Sequence, residues 1–333
     1  MQKLIIDTDP GIDDALALLL ALAAKDELDV TAITTVNGNV GVDQVTENVF
    51  RILDVAGRSD IPVYKGNGKP LMRENDNCEE FHGDDGLGNL GFKEVPGTVK
   101  EESAVDFLIR KVREEKGEIT LVPIGPLTNI AQAVQKDPEF ARNVKEVVIM
   151  GGAEHGGNMS PCAEFNFWTD PEAAKIVFQA GFERVTMVGL DATSYVFLSP
   201  TLRELLYLIN TPVVVIICLL LLMNTPVSRF IHKITRVYAD GHWEIEKKLG
   251  CELCDVLTIA YLLDRNVVEK VDAFVDVETS GLCDGMSVVY RTKYYPDKKK
   301  NCEVAVKADT KRFFEIFFGY LFPEHMDEAR ELI

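Results

Sequence analysis

The chain has 333 residues, 47% of them hydrophobic, and this is enough apolar material to build the core of one large domain. Its formal net charge of −18 offers no basic surface for a nucleic acid or an anionic membrane, and therefore favours a small neutral or cationic ligand. Seven dispersed cysteines, without a recognisable signal peptide, are expected to be reduced thiols in a cytoplasmic protein.

Short β-rich runs alternate with helical patterns from residue 4 to residue 188. In chain order, the predicted strands (β) and helices (α) are β 4–7, α 14–24, β 30–36, α 42–56, β 61–64, α 104–115, β 119–123, α 127–135, β 144–150, α 171–180 and β 185–188. This alternation predicts right-handed crossovers and an α/β fold with a mostly parallel, Rossmann-like open sheet flanked by helices. We expect one domain over residues 1–333.

Polar segments follow several of the predicted strands. Asp7 and Asp9 end the first strand, and polar loops at 37–39, 125–129 and 151–166 follow the second, fourth and fifth strands. Ligands of parallel sheets bind beyond the carboxyl ends of the strands, where these loops meet. The pattern therefore predicts an active site at the C-terminal ends of the strands.

One apolar segment does not fit the alternation. Residues 213–223 are all apolar, and Asn-Thr-Pro-Val occurs on both sides of them, at 210–213 and 224–227, which indicates an insertion or a local duplication. With the preceding apolar residues the stretch approaches the roughly 20 residues of a membrane span, but Asn210 and Pro212 interrupt it. We favour a buried helix or a subunit contact. A membrane-associated variant is the less favoured alternative.

The most informative feature is a cluster of aspartates, Asp7, Asp9, Asp13 and Asp14, between the first strand and the first helix. Alternate side chains of an extended segment point to the same side, so Asp7 and Asp9 can face one pocket. Gly11 permits a sharp turn before the helix. Carboxylates this close repel one another unless a cation neutralises them, so the cluster predicts a site for a hard divalent metal.

The sequence Asp-Thr-Asp-Pro-Gly-Ile-Asp-Asp at 7–14 resembles the signature of the nucleoside hydrolases, calcium-dependent enzymes that split nucleosides into base and ribose. Further similar motifs follow in order, at 37–39, 82–88, 122–129, 151–152, 163–166, 170–173, 254–255, 260–261, 285–286 and 306–314. The chain is most similar to inosine/uridine-preferring members, in the branch that has Cys in place of an active-site His. The resemblance implies a ribonucleoside substrate, a role in nucleoside salvage or catabolism, and a homodimer or homotetramer.

The same resemblance implies a set of Ca²⁺ ligands: Asp9, Asp14, Asp255 and the backbone carbonyl of Ile124, with Asp7 in or just behind that shell. All of them are oxygen donors, as a hard cation requires. Asp9 matches the family's general base, a carboxylate that touches both the metal and the attacking water. We expect the C1′–N bond to break through an oxocarbenium-like transition state, as in glycoside hydrolysis.

Substrate contacts are also implied by the resemblance. Asp13 is expected to accept a hydrogen bond from the 2′-hydroxyl, and Asn39, Asn158 and the tripeptide Glu164-Phe165-Asn166 are expected to grip the ribose. His82 lies in a glycine-rich loop and is interpreted as part of a substrate lid.

The acid that protonates the departing base is left open. Some relatives have a histidine directly before the last metal-binding aspartate, where this chain has Cys254. A thiol, with a reference pKa of about 8.5, is one candidate donor. His242 is another, and Trp243 could stack on the base or pack in the core. The base-facing residues do not distinguish purine from pyrimidine substrates.

Two classes of function therefore stand beside each other. One is Ca²⁺-dependent hydrolysis of ribonucleosides. The other is a catalytically weak or inactive protein that binds nucleosides or ribose, an alternative left open by Cys254 and by the segment at 213–223. Incubation with inosine, uridine and cytidine, with and without a chelator, separates the two.

Overall fold

A nine-stranded sheet forms the centre of the computed structural model, which describes residues 1–75, 77–209, 225–291 and 298–333. The strands are β1 Gln2–Thr8, β2 Leu28–Thr35, β3 Val63–Lys65, β4 Ile119–Pro123, β5 Glu146–Met150, β6 Val185–Val188, β7 Phe197–Leu198, β8 Cys251–Glu252, β9 Val268–Val277, β10 Ser287–Tyr290 and β11 Cys302–Ala308. Strands β7 and β8 form a separate two-stranded pair.

The order across the large sheet is β10-β9-β11-β6-β5-β4-β1-β2-β3. The pairings from β11 to β3 are parallel, and β9 runs antiparallel to both β10 and β11. The predicted α/β class and mostly parallel sheet are therefore confirmed. The antiparallel end of the sheet, β9 to β11, is absent from the sequence prediction.

Helices cover both faces of this sheet. They are α1 Ile12–Ala23, α2 Val42–Ala56, α3 Glu79–His82, α4 Ala104–Glu114, α5 Thr128–Lys136, α6 Phe140–Asn143, α7 Phe165–Thr169, α8 Pro171–Gln179, α9 Leu190–Thr193, α10 Pro200–Ile209, α11 Pro226–Glu246, α12 Cys254–Leu263, α13 Thr310–Leu321 and α14 Met326–Arg330. Short 3₁₀ turns occur at Arg265–Val267, Gly281–Cys283 and Pro323–His325.

Alternation along β1 divides the core into two layers. Leu4 and Ile6 point to the layer that contains α1, α12 and α13, whereas Ile5 points to the layer that contains α4, α5 and α8. This is the expected consequence of side chains that alternate across a strand. Both layers are closely packed with aliphatic and aromatic side chains, so the sheet is a rigid support for its loops.

Helices α1 and α12 pack against each other in the first layer. Every residue of α1 from Ile12 to Leu22 is buried, and so is every residue of α12 from Cys254 to Leu262. Helices that are apolar on all sides can be buried in this way. Their N-terminal turns carry acidic residues, and the packing brings these turns together.

Among the described residues, no helix combines the length and the apolar character needed to cross a membrane. The apolar run at 213–223 and the first Asn-Thr-Pro-Val copy lie outside the described residues, so the insertion or duplication and its burial stay predictions. The single-domain organisation also stays a prediction. Five cysteines in the described part of the chain form no disulfide there: Cys162, Cys251, Cys254, Cys283 and Cys302.

Candidate active site

A cavity opens at the carboxyl ends of the central strands. Residues that follow β1, β2 and β4 contribute to its wall, as does the last residue of β5. Eleven of the residues singled out in the sequence line this cavity: Asp13, Asp14, Asn39, His82, Ile124, Asn158, Phe165, Asn166, His242, Cys254 and Asp255. The cavity therefore lies where a parallel sheet places its ligand.

Three carboxylates meet at the floor of the cavity. Asp13, Asp14 and Asp255 each offer a carboxylate oxygen, and these oxygens all lie within 4.8 Å of one another. All three residues are at most 7% exposed. Asp13 and Asp14 lie in the first turn of α1 and Asp255 in the first turn of α12, where the helix dipole favours negative charge.

Asp14 is held by hydrogen bonds to the loop that precedes α1. Its Oδ1 accepts from the hydroxyl of Thr8 at 2.7 Å, and its Oδ2 accepts from the Gly11 amide and from Asn39 Nδ2, each at 3.0 Å. The bond to the Gly11 amide satisfies the backbone N–H of the N-cap residue, which is the half of a capping box that the third helical residue supplies. Asp14 therefore fixes the turn between β1 and α1 and still borders the cavity.

Asp9 is enclosed by backbone from two neighbouring loops. Its Oδ2 accepts a hydrogen bond of 2.8 Å from the Asn39 amide, and its Oδ1 is buried without a hydrogen-bond partner among the described residues. A Cβ atom added at Gly38 would overlap Oδ2, and one added at Gly125 would overlap Oδ1. Only glycine lets these loops approach the carboxylate so closely.

Asp7 lies one step further from the cavity, on β1. Its Oδ1 accepts hydrogen bonds from Thr34 Oγ1 at 2.5 Å and from Asn129 Nδ2 at 2.7 Å. Its Oδ2 is buried and also lacks a hydrogen-bond partner in the described part of the chain. Neither Asp7 nor Asp9 is among the described residues that line the cavity, so this geometry places both of them behind Asp13, Asp14 and Asp255.

Burial and mutual repulsion make these carboxylates hard to ionise. Desolvation first, and then the charge of neighbouring carboxylates, raise the pKa of Asp9, Asp13 and Asp255 well above its usual range. Desolvation also raises the pKa of Asp14, and that of Asp7 to about 7. Carboxylates in such a group require protons or a cation for neutralisation.

The opposite wall is built by the loop after β5 and by α7. Asn166 Nδ2 donates to the carbonyl oxygens of Ile124 and Met150, at 3.0 and 3.2 Å. Asn158 Oδ1 accepts from the Phe165 amide at 2.9 Å, so the loop folds back on the start of the helix. These bonds hold the polar side chains at the rim of the cavity.

Glu164 has a different position from its neighbours. Its Oε1 accepts from the Asn166 amide at 2.9 Å, and its Oε2 accepts from the amides of Gly152 and Phe167, at 2.7 and 3.3 Å. Desolvation raises the pKa of Glu164 to about 7. The side chain is 2% exposed and is not among the described residues that line the cavity. In this structure it caps α7 and holds the loop before that helix.

Aromatic rings and thiols form the remaining wall. The Tyr238 ring lies 5.0 Å from that of His82 and 4.6 Å from that of His242, measured between ring centres. Cys254 is 7% exposed, and burial raises the pKa of its thiol well above the ordinary value. Trp243 is not one of the described lining residues, and it is 48% exposed on the outer side of α11.

Several lining residues were not identified as contacts from the sequence: Cys78, Phe81, Met150, Met159, Glu246 and Glu252. Glu246 follows His242 by four residues, a spacing that places two side chains on the same face of a helix, but no helix was predicted for this segment. The phenylalanine and methionine residues carried no signal, since apolar residues of this kind are ordinary in any core.

Known proteins resemble the chain over almost its whole length. A sequence profile described as inosine-uridine preferring nucleoside hydrolase matches residues 4–315. The inosine-uridine preferring nucleoside hydrolase of Leishmania major is 40% identical over 319 residues, which cover 94% of this chain and 95% of that protein. The pyrimidine-specific ribonucleoside hydrolase RihA of Shigella boydii is 38% identical over 314 residues, 94% of this chain and 96% of the relative.

Solved structures agree with the sequence matches. A purine-preferring ribonucleoside hydrolase from Gardnerella vaginalis superposes with a TM-score of 0.86 at 31% identity, covering 99% of this chain and 100% of that one. Both the family profile and the acidic cluster at the cavity floor are consistent with dependence on a metal. The chain therefore belongs to the inosine-uridine preferring nucleoside hydrolase family and is a hydrolase that acts on N-glycosidic bonds.

Proposed function

We propose that the chain hydrolyses ribonucleosides to free base and ribose with one bound Ca²⁺. The observation that carries this proposal is the meeting of Asp13 and Asp14 with Asp255, buried at the floor of the cavity. Acidic residues from two distant parts of the chain repel one another there, and a bound cation neutralises their charge.

The residues present fit a hard cation. The proposed ligands are carboxylates of Asp9, Asp14 and Asp255 and the carbonyl of Ile124, with Asp7 behind them, and all donate oxygen. No lysine or arginine occurs among the described residues that line the cavity. The partnerless Oδ1 of Asp9 further supports a ligand at this point. When bound, Ca²⁺ supplies positive charge that orients the ribose diol and the attacking water.

Asp9 is the proposed general base. The Asn39 amide holds its Oδ2, which leaves Oδ1 available to take the proton of the attacking water. As water bonds to C1′, the ribosyl ring develops positive charge, and the carboxylates of Asp13 and Asp14 stabilise that charge through space.

The ribose is proposed to lie between the two walls of the cavity. Asp13 accepts a hydrogen bond from the 2′-hydroxyl, while Asn39, Asn158 and Asn166 contact the ribose hydroxyls and Phe165 covers the sugar. Their place in the lining of the cavity supports these roles. Glu164 is proposed to act on the same loop through its three backbone hydrogen bonds.

The choice of base, the assembly and the location stay predictions. The names of the relatives above state different preferences: inosine and uridine, pyrimidines, and purines. A substrate panel of inosine, uridine and cytidine measures this preference. We also propose that the protein is cytoplasmic and that it is a homodimer or homotetramer. Sedimentation of the purified protein tests the oligomeric state.

Substitution of the proposed base tests the mechanism. Asp9→Ala is expected to lower kcat for release of free base by about 10²- to 10⁴-fold, the usual contribution of a general base, because no other group takes the proton of water. Base release from inosine, uridine and cytidine is measured with and without a calcium chelator. Asp26→Ala, which changes an exposed aspartate, is the control and retains activity.

Two results would contradict this proposal. Full activity of Asp9→Ala, with the fold intact by circular dichroism, would remove Asp9 from the reaction. Binding of nucleosides by the unaltered chain, without release of base or reducing sugar, would favour the alternative of a binding protein that retains the site.

A further inference from the structure

A histidine–glutamate pair on the cavity wall has no part in the steps described above. On α11, His242 is 5% exposed, and its Nδ1 lies 2.7 Å from Oε2 of Glu246. The two residues are four apart, so one turn of helix brings them to the same face. Both side chains line the cavity. The pair therefore faces the space that a substrate occupies.

The carboxylate determines which ring nitrogen can act on a ligand. Because Glu246 is an acceptor, Nδ1 of His242 carries a proton, and Nε2 is the nitrogen available for proton exchange. In this structure Nε2 accepts a hydrogen bond from the backbone N–H of Glu252 at 3.5 Å, the outer limit of such a bond, and this contact has to open before Nε2 donates a proton. The bond from His242 is the main cause that lowers the pKa of Glu246, so the carboxylate stays charged beside the ring.

Charged groups around His242 come from several elements. Lys248 Nζ lies 3.2 Å from Oε2 of Glu246 and shares that carboxylate. His82, on α3, and Tyr238, one turn earlier on α11, meet across their rings, and Tyr238 also contacts His242. The surroundings of His242 therefore consist of the Glu246 carboxylate, which Lys248 shares, and the rings of His82 and Tyr238.

Two other side chains of the cavity wall, His82 and Cys254, are less suited than His242 to donate a proton to a ligand. Nδ1 of His82 accepts a hydrogen bond from the Ile12 amide at 2.9 Å, and desolvation together with the charge of His242 lowers the pKa of His82 to about 3. Its ring therefore stays neutral. The thiol of Cys254 lies 3.9 Å from Oε2 of Glu252, which accepts its hydrogen bond.

We propose that His242, held by Glu246, protonates the nucleobase as it departs. This inference rests on the proposed hydrolysis of ribonucleosides. When the C1′–N bond breaks, its electron pair stays on the base, and the Nε2 proton of His242 passes to a nitrogen or oxygen of the base. Water bonds to C1′ and gives a proton to Asp9, so base and ribose leave neutral and solvent exchange restores both residues.

The leaving group of the substrate distinguishes this role from a structural one. Inosine needs protonation of its base, because the base is a poor leaving group as an anion. The p-nitrophenyl β-riboside carries the same ribose, but its p-nitrophenolate is a stable anion that departs without an acid. Both substrates use the same water, the same general base and the same ribose contacts.

The proposal predicts a selective loss of activity. His242→Ala is expected to lower kcat on inosine by about 10²- to 10³-fold, within the usual range for a general acid, and to change kcat on the p-nitrophenyl riboside by less than about threefold. His232→Ala is the matched control on the same helix, and both activities are expected to persist in it.

Glu246 is a positioning residue, and its variants provide a second test. Glu246→Ala should also lose inosine hydrolysis selectively, whereas Glu246→Gln, whose amide oxygen can still accept the Nδ1 proton, should recover part of it. Glu244→Ala, at an exposed position of the same helix, is the control.

The contradicting results are distinct. Equal loss on both substrates in His242→Ala and in Glu246→Ala would indicate a structural role, and unchanged inosine hydrolysis would exclude His242 as the acid. If the unaltered chain hydrolyses neither substrate, the proposed function fails and the inference fails with it.

Discussion

At the scale of single residues, position decides what each aspartate of the N-terminal motif does. Asp7 is bound by Thr34 and Asn129 within the sheet, whereas Asp14 caps a helix. Asp7 and Asp9 each keep one buried oxygen without a hydrogen-bond partner among the described residues, and Asp13 borders the cavity. The residue type is the same in all four cases. The chemistry differs because the hydrogen-bond donors around each carboxylate differ.

His82 gives a residue-scale prediction about pH. Because burial lowers its pKa from 6.5 to about 3, the unfolded chain binds a proton that the folded chain does not, and His82 loses its contribution to stability as the pH falls from about 6.5 towards 3. The raised pKa values of the buried aspartates act in the opposite direction. A comparison with His82→Gln isolates the histidine.

Between pH 7 and pH 5, the stability advantage of the unaltered chain over His82→Gln should shrink by about 2 kcal/mol, since one pKa unit corresponds to about 1.4 kcal/mol. Urea unfolding at the two pH values, in the presence of a chelator, measures this difference. An advantage that is independent of pH would show that His82 titrates alike in the folded and unfolded chain.

At the scale of elements, the central loops are built to approach Asp9. The loop after β2 contributes Gly38, and the loop after β4 contributes Gly125, on opposite oxygens of the same carboxylate. Neither residue has a left-handed backbone, so lack of a side chain, and not backbone conformation, is what these positions require. Loops of neighbouring parallel strands thus enclose one functional group.

Gly125→Ala tests this element-scale arrangement. The added methyl group overlaps Asp9 Oδ1, so we expect kcat to fall by at least about tenfold while the overall fold persists, because sub-ångström misplacement of a catalytic group is costly. Gly41→Ala is a matched control, since a Cβ there meets no atom within 4 Å. Equal activity in the two variants would contradict the role assigned to this close approach.

Local patterns predicted some elements well. Helix α2 has its predicted bounds, Val42–Ala56, because its apolar residues follow helical spacing and Gly57 ends it in a left-handed conformation. Helix α1 begins at Ile12, two residues before the predicted start, since the side chain of Asp14 caps it from the third helical position. Strands β9 to β11 were missed, because in the described part of the chain they follow one another without an intervening α-helix and so break the strand–helix alternation on which the prediction relied.

Residues of the candidate site were predictable where they are adjacent in a sequence motif. They were less predictable where only tertiary packing brings them to the cavity. The acidic run at 7–14 indicated a metal site by itself. In contrast, Glu246 and Glu252 reach the cavity only because α11 and β8 pack against it. Successive helical residues differ in direction by about 100°. His242 therefore points inward while Trp243 is largely exposed, a difference that the sequence did not reveal.

At the scale of the whole molecule, packing of α1 against α12 joins distant parts of the chain at one point. Asp14 lies in the first turn of the first of these helices and Asp255 in the first turn of the second, and both helices are buried along almost their whole length. The carboxylates therefore cannot move apart without disturbing the core. The fold itself maintains the repulsion that a bound Ca²⁺ is proposed to relieve.

The most direct test is a crystal structure of the chain grown with excess Ca²⁺, with the ion identified by anomalous scattering. We expect one ion at the cavity floor, contacted by Asp9, Asp14, Asp255 and the carbonyl of Ile124, at the 2.3–2.6 Å typical of calcium–oxygen contacts. A floor without an ion, or an ion bound elsewhere with Asp255 remote from Asp9, would contradict the proposed metal site and the mechanism built on it.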